Sequence, residues 1–385
     1  MRCSQALDTL PVGRSRVSAW HAVARTRRLF SFSLLAAIAT GCAGDVARVH
    51  PTVTSARLER ASRVGSPVSQ EDIEDIERIS ESILAVSVDG GREIWLVGWD
   101  GSRMSIVARR GRGPGEVEGA VWIVRLTPDE FVAVDVLLRR AIAWGADGKM
   151  IREWAYDLPA VTGVWASQGR LVLRTTSDAS GLDFVTLDAT GATIGSRRFP
   201  SLAESPQTSC RYCPAAVGQD GTIAMAVSDT SYRWILTGMA QQKTRLVEGP
   251  AFAAVPSPPH HRDSIADLWR AIGERLSERG APAEATARVG AIASAPGRAY
   301  LRRFVSRTAM FDDEGRFYVQ RTGLAGDSVQ VDAFSPDLAF ASTYLLPPLS
   351  VLRRAYDTRL LVTRTLPDGS TVIEEYSRSP RSTLR

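Results

Sequence analysis

The residues of this 385-residue chain best suited to chemistry are four cysteines, four histidines and one glycine-rich hexapeptide. Cys210 and Cys213 stand in Cys-Arg-Tyr-Cys-Pro. Outside the cytoplasm such a pair reads as a local disulfide. A redox role needs a helix N-terminus to lower the thiol pKa, and no helical pattern follows Pro214. A zinc site needs a second Cys or His pair at suitable spacing, and covalent haem attachment needs His where Pro214 stands. His260, His261 and Asp263 suggest a metal, but adjacent side chains on an extended chain point apart, so the stretch reads as a surface loop. No Gly-x-Ser-x-Gly elbow is present. No catalytic residue, metal or cofactor is assigned.

The hexapeptide is Gly111-Arg112-Gly113-Pro114-Gly115-Glu116, between the apolar runs Ile106-Val107-Ala108 and Val121-Trp122-Ile123-Val124. Glycines tolerate positive φ and proline fixes φ, so the stretch reads as a sharp loop between extended segments. A dinucleotide loop needs a helix N-terminus behind it to present free N–H groups. Here valine-rich sequence follows, and Pro114 removes one donor. Arg109, Arg110 and Arg112 could hold an anion, although a solvated loop accounts for them as well. Asp220, Asp312 and Asp313 fall where turns use Asp for local hydrogen bonds.

The elements that hold these residues repeat. Six short apolar strands share one form: Glu93–Gly98, Glu130–Asp135, Arg170–Thr175, Thr222–Val227, Arg316–Arg321 and Arg359–Arg364. Their starts lie 37, 40, 52, 94 and 43 residues apart. Most are led by a turn of Gly, Asp or Ser, and most are followed by a second strand and a glycine turn. Recurring strands at this period are the mark of propeller blades, which must stack because no single blade buries both faces. A β-sandwich does not need a six-fold recurrence of one form. The expected fold is all-β, a six-bladed propeller over residues 79–376 with a tail at 377–385. Closure is expected to pair a strand near Ile83–Val88 with the last blade. The offset of 94 marks an insertion at about 256–298. In it Asp263–Arg279 has helical spacing, with Ile265, Leu268, Trp269, Ile272 and Leu276 on one face. Residues 43–70 read as a tether, and Ile73, Ile76 and Ile79 suggest a short helical turn.

Gly-x-Gly-Pro-Gly-Glu between the first two blades, with this repeat, resembles bacterial six-bladed β-propeller proteins related to the NHL-repeat group. That resemblance implies exported lipoproteins and assigns no catalytic residue to the loop, represented by Gly111, Gly113, Pro114, Gly115 and Glu116.

The start of the chain agrees with export. Arg25, Arg27 and Arg28 precede an apolar run, Leu29 to Thr40, too short to span a bilayer comfortably. Ala39-Thr40-Gly41-Cys42 resembles a lipobox, which predicts a signal peptide at 1–41 and lipidation of Cys42. Residues 42–78 then form the lipidated N-terminus and tether. Lipid on Cys42 would hold the body to a membrane, with the outer membrane, facing periplasm or cell surface, as the expected location. The formal charge of +5 comes from the leader: without its six arginines and one aspartate, 41 basic and 41 acidic residues remain. The electrostatic case for nucleic acid therefore disappears. What is expected is a monomeric binding module for a protein, peptide or glycan. The alternative is a propeller lyase or hydrolase acting at the central axis.

Overall fold

The computed structural model describes residues 55–56, 58–64, 73–119, 121–158, 160–178, 181–200, 214–227, 233–239, 244–249, 304–322, 328–356 and 359–378, with Arg270, Glu274 and Ala287 besides. The chain opens with β1 (Ser55–Ala56) and β2 (Leu58–Val64). Blade 1 is β3 (Asp75–Arg78), β4 (Ile83–Val88), β5 (Glu93–Gly98) and β6 (Arg103–Ala108). Blade 2 is β7 (Val121–Thr127), β8 (Glu130–Asp135), β9 (Arg140–Gly145) and β10 (Met150–Ala155). Blade 3 is β11 (Val161–Ser167), β12 (Arg170–Asp178), β13 (Gly181–Leu187) and β14 (Thr193–Pro200). Blade 4 is β15 (Ala215–Val217), β16 (Thr222–Ala226), β17 (Arg233–Gly238) and β18 (Arg245–Glu248). Blade 5 is β19 (Phe304–Phe311), β20 (Phe317–Arg321), β21 (Val329–Phe334) and β22 (Phe340–Leu346). Blade 6 is β23 (Ser350–Tyr356), β24 (Arg359–Thr365) and β25 (Thr371–Arg378), with β2 as its outer strand.

The first strands of the blades, β3, β7, β11, β15, β19 and β23, touch in turn and close a ring. This is the all-β, six-bladed propeller that the repeat predicts. One apolar cluster fills each gap between neighbouring blades. Phe131 and Ala133 of β8 face blade 1, whereas Val132 and Val134 face blade 3. Both parities are buried, so the middle strands read as continuous apolar runs rather than alternating ones. The outer β10 has one wet side and is mostly exposed.

Four sequence expectations need correction. The closing strand is not Ile83–Val88, which is β4 inside blade 1; it is β2, antiparallel to β25. The stretch 58–64 is therefore part of the ring, not tether, and its Leu-Glu-Arg-Ala-Ser-Arg-Val sequence suits an outer strand that needs apolar contact on one side only. The helical turn is β3: Ile73, Ile76 and Ile79 are all buried because this inner strand has neighbours on every side. The strand at Glu93 is the third of its blade, whereas the other five repeat members are second strands. Second and third strands are equally buried, so sequence form alone did not separate them.

Antiparallel order fixes two faces. Turns after the first and third strands of each blade lie on one, the turn face. Turns after the second strands and connections between blades lie on the other, the inter-blade face. The 94-residue offset falls between β18 and β19, so that connection leaves and returns at the inter-blade face. The expected helix lies outside the described residues apart from Arg270 and Glu274, both helical and exposed.

Candidate functional site

Side chains with charge converge on the axis because the inner strands are bulged. Register breaks occur in β7, β11, β19 and β23, and a bulge re-aims a side chain toward a strand edge. The sharpest is in β19, where Arg307 sits at φ +65°, a left-handed conformation that costs a non-glycine residue about 1 kcal/mol or more. Its guanidinium crosses the axis and lies over the ring of Trp122, 4.1 Å from the centroid, on the opposite blade. Nη1 also meets Glu74 Oε1 of blade 1 at 2.8 Å. Arg307 is the exposed member of the group, with 42% of its side chain in solvent.

Two arginines flank it, Arg174 buried and Arg353 partly buried. Arg174 of blade 3 donates from Nε to Thr162 Oγ1 at 2.9 Å and from Nη2 to Thr162 O at 2.8 Å. Burial, and then the charge of Arg307, push its pKa down to about 10. Arg353, in the β23 bulge, donates to Glu74 O (2.9 Å), Ile73 O (3.0 Å) and Thr363 Oγ1 (3.0 Å), all neutral acceptors. Burial lowers its pKa; Asp75 and Glu74 oppose this, while Arg307 and Arg354 add to it. Glu74 precedes β3, and Trp122 and Thr162 are the second residues of their strands. All lie at the inter-blade end of the axis, which makes this its mouth.

A second layer lies deeper. Arg354 donates to Glu77 Oε2 at 2.8 Å, Asp75 Oδ2 at 3.1 Å and Ile123 O at 2.5 Å. Asp75 Oδ2 also accepts from Ile123 N at 2.9 Å, so three blades are tied here. Burial opposes the charge on Arg354, but Asp75 and Glu77 outweigh it and raise its pKa. Below it the Tyr356 hydroxyl donates to Glu77 Oε1 at 3.2 Å and accepts from Arg78 N at 3.0 Å. Burial and then Glu77 raise the Tyr356 pKa well above the usual value. These carboxylates serve internal cations. The mouth, by contrast, gathers three guanidiniums beside one carboxylate, Glu74, among the described residues.

The glycine-rich hexapeptide joins β6 to β7 on the same face. Glu116 folds back to accept from Gly113 N at 2.7 Å, and a β-carbon on Gly111 would stand 2.0 Å from Glu116 Oε2. Gly115 has φ +73° and donates to Glu153 Oε2 at 2.9 Å. Arg140 clamps the loop through Arg112 O, Glu116 O and Glu153. Of the three loop glycines, Gly115 is chosen for its backbone angle; Gly111 and Gly113 make room for Glu116. Pro114 lies at the turn between them. Arg110 and Arg112 pair with Glu118 in solvent. Asp220 and Asp312 accept from the N–H groups of their own turns. Cys42, Cys210, Cys213, His260, His261 and Asp263 lie outside the described residues. Arg307, Arg174, Arg353 and Trp122 were not singled out from sequence, and the only local signal was the Arg353-Arg354 pair in an otherwise ordinary strand.

No family model and no curated relative matches the chain. Among solved structures, it is similar to a Bacteroides vulgatus ATCC 8482 member of the DUF4221 family, at 9% identity and TM-score 0.52, over 83% of this chain and 97% of that one. It is also similar to a Bacteroides fragilis NCTC 9343 protein described as exported, at 10% identity and TM-score 0.51, over 84% of this chain and 96% of that one. At such identities the likeness carries the propeller architecture, and these bacterial proteins share it.

Proposed function

We propose that this chain is an exported, lipid-anchored binding protein that presents the inter-blade face of its propeller outward. The observation that carries the reading is the direction of the N-terminal strands. β1 runs parallel to β22 and β2 antiparallel to β25, so the chain comes from the turn face and runs along the rim. Twelve residues separate Cys42 from β1, a reach of about 40 Å when extended. An anchor on Cys42 would therefore hold the turn face toward the membrane. The axial mouth, the hexapeptide and the connection carrying the insertion would all point away from it. The apolar run before Cys42 and the exported protein of the same fold support this location. A single lipid chain gives only weak attachment, and the diacyl form expected at a lipobox cysteine suffices for stable anchoring. A loop-rich face around a charged axial mouth suits capture of a protein, peptide or glycan; the deeper carboxylates are engaged by Arg354, which disfavours the lyase or hydrolase alternative. Detergent phase separation tests the anchor. The wild type is expected in the detergent phase and Cys42→Ala in the aqueous phase; equal partition of the two overturns the reading.

A further inference from the structure

Resting on that reading of the inter-blade face, we infer that the axial mouth is a receptor for an organic carboxylate, with Arg307 as its anchor and Glu74 as a built-in competitor. Arg307 is placed there at a backbone cost, in a left-handed bulge. A residue held in such a conformation at a ligand site is a recurring arrangement. Its side chain on the axis is not required for closure, because the first strands already contact one another around the ring, β2 completes the last blade, and Arg354, Asp75 and Ile123 tie blades 6, 1 and 2 one layer deeper. Arg307 instead brings a third guanidinium near buried Arg174 and partly buried Arg353 and lowers the pKa of both. Like charges gathered this way favour an incoming anion.

The class of anion follows from the partners now present. A guanidinium offers its donors in one plane, which matches the two oxygens of a carboxylate. One face of Arg307 lies over Trp122, and its present partner is itself a carboxylate, Glu74. Glu74 is partly solvent-exposed, with 29% of its side chain accessible, so it can yield. A ligand carboxylate would take the fork of Arg307 while a flat or ring-shaped body lies along the indole edge. Glu74 then sets the apparent affinity, because only the fraction of molecules in which it has swung away is competent to bind.

The test is calorimetric titration of the full chain in detergent, at low ionic strength, with benzoate, acetate and inorganic phosphate. Benzoate is expected to bind one to one, more tightly than acetate or phosphate. Glu74→Gln is expected to tighten benzoate about tenfold, a gain that misfolding cannot produce. Arg307→Lys keeps the charge but loses the fork and is expected to weaken benzoate at least tenfold. Absence of saturable heat with Glu74→Gln, equal affinity in Arg307→Lys, or a preference for phosphate each overturns the inference. A chain that partitions into detergent yet gives no benzoate heat overturns this inference alone. A chain that stays in the aqueous phase yet binds benzoate through Arg307 overturns only the anchored reading.

Discussion

Arg307 and Arg354 show how two axial arginines differ in purpose. Arg354 neutralises Asp75 and Glu77, both buried, so Arg354→Ala leaves two uncompensated carboxylates in the core. We expect a loss of about 3–5 kcal/mol in denaturant unfolding. Arg307→Gly loses a half-exposed ion pair of small worth but relieves the left-handed backbone. Its stability is expected within about 1 kcal/mol of wild type. A large loss in Arg307→Gly would make that residue structural. In the hexapeptide, Gly111→Ala collides with Glu116 and is expected to cost about 1–3 kcal/mol, whereas Arg112→Ala stays within about 0.5 kcal/mol. Thermal melting with matched denaturant curves checks both. The loop was legible in sequence because its turn chemistry is local. The mouth was not, because Arg307 meets Glu74 and Trp122 only after the whole ring closes.

At the scale of elements, β2 decides whether the ring stays shut. It is held by the β25 ladder and by Glu374, which accepts from Arg364 at 2.9 and 2.8 Å and from the Tyr376 hydroxyl at 2.6 Å, with Arg60 of β2 at 3.5 Å. Burial alone would raise the Glu374 pKa, but its bonds to Arg364 and Tyr376 outweigh that and lower it. A carboxylate with a depressed folded pKa adds stability that is present above its unfolded value, about 4.3, and is lost as pH falls through the folded value. Acid melts should therefore be steeper for wild type than for Glu374→Gln, which lacks the titrating group. Identical pH slopes would contradict this role. Deleting residues 55–64 bares the edge of β25, and aggregation on size-exclusion chromatography is the expected result. The middle strands were legible from their unbroken apolar runs. β2 escaped notice because an outer strand shows half a pattern, and its partner lies more than 300 residues away.

For the whole molecule, blade number was readable from the repeat, since six equivalent gaps demand six similar strand pairs. Orientation was not, because it depends on the direction in which β1 and β2 run along blades that end the sequence. Under the proposed anchor on Cys42, those directions would set the turn face toward the membrane and the axial mouth away from it. Two exposed positions report on the faces: Arg112 in the inter-blade loop, and Lys149 in the turn between β9 and β10. Arg112→Cys and Lys149→Cys can be compared by their rate of reaction with a bulky maleimide, on membranes and again in detergent. On membranes Arg112→Cys is expected to react at least several-fold faster than Lys149→Cys, and detergent is expected to remove most of the difference. Equal rates on membranes, or faster reaction at Lys149→Cys, would contradict the outward-facing mouth.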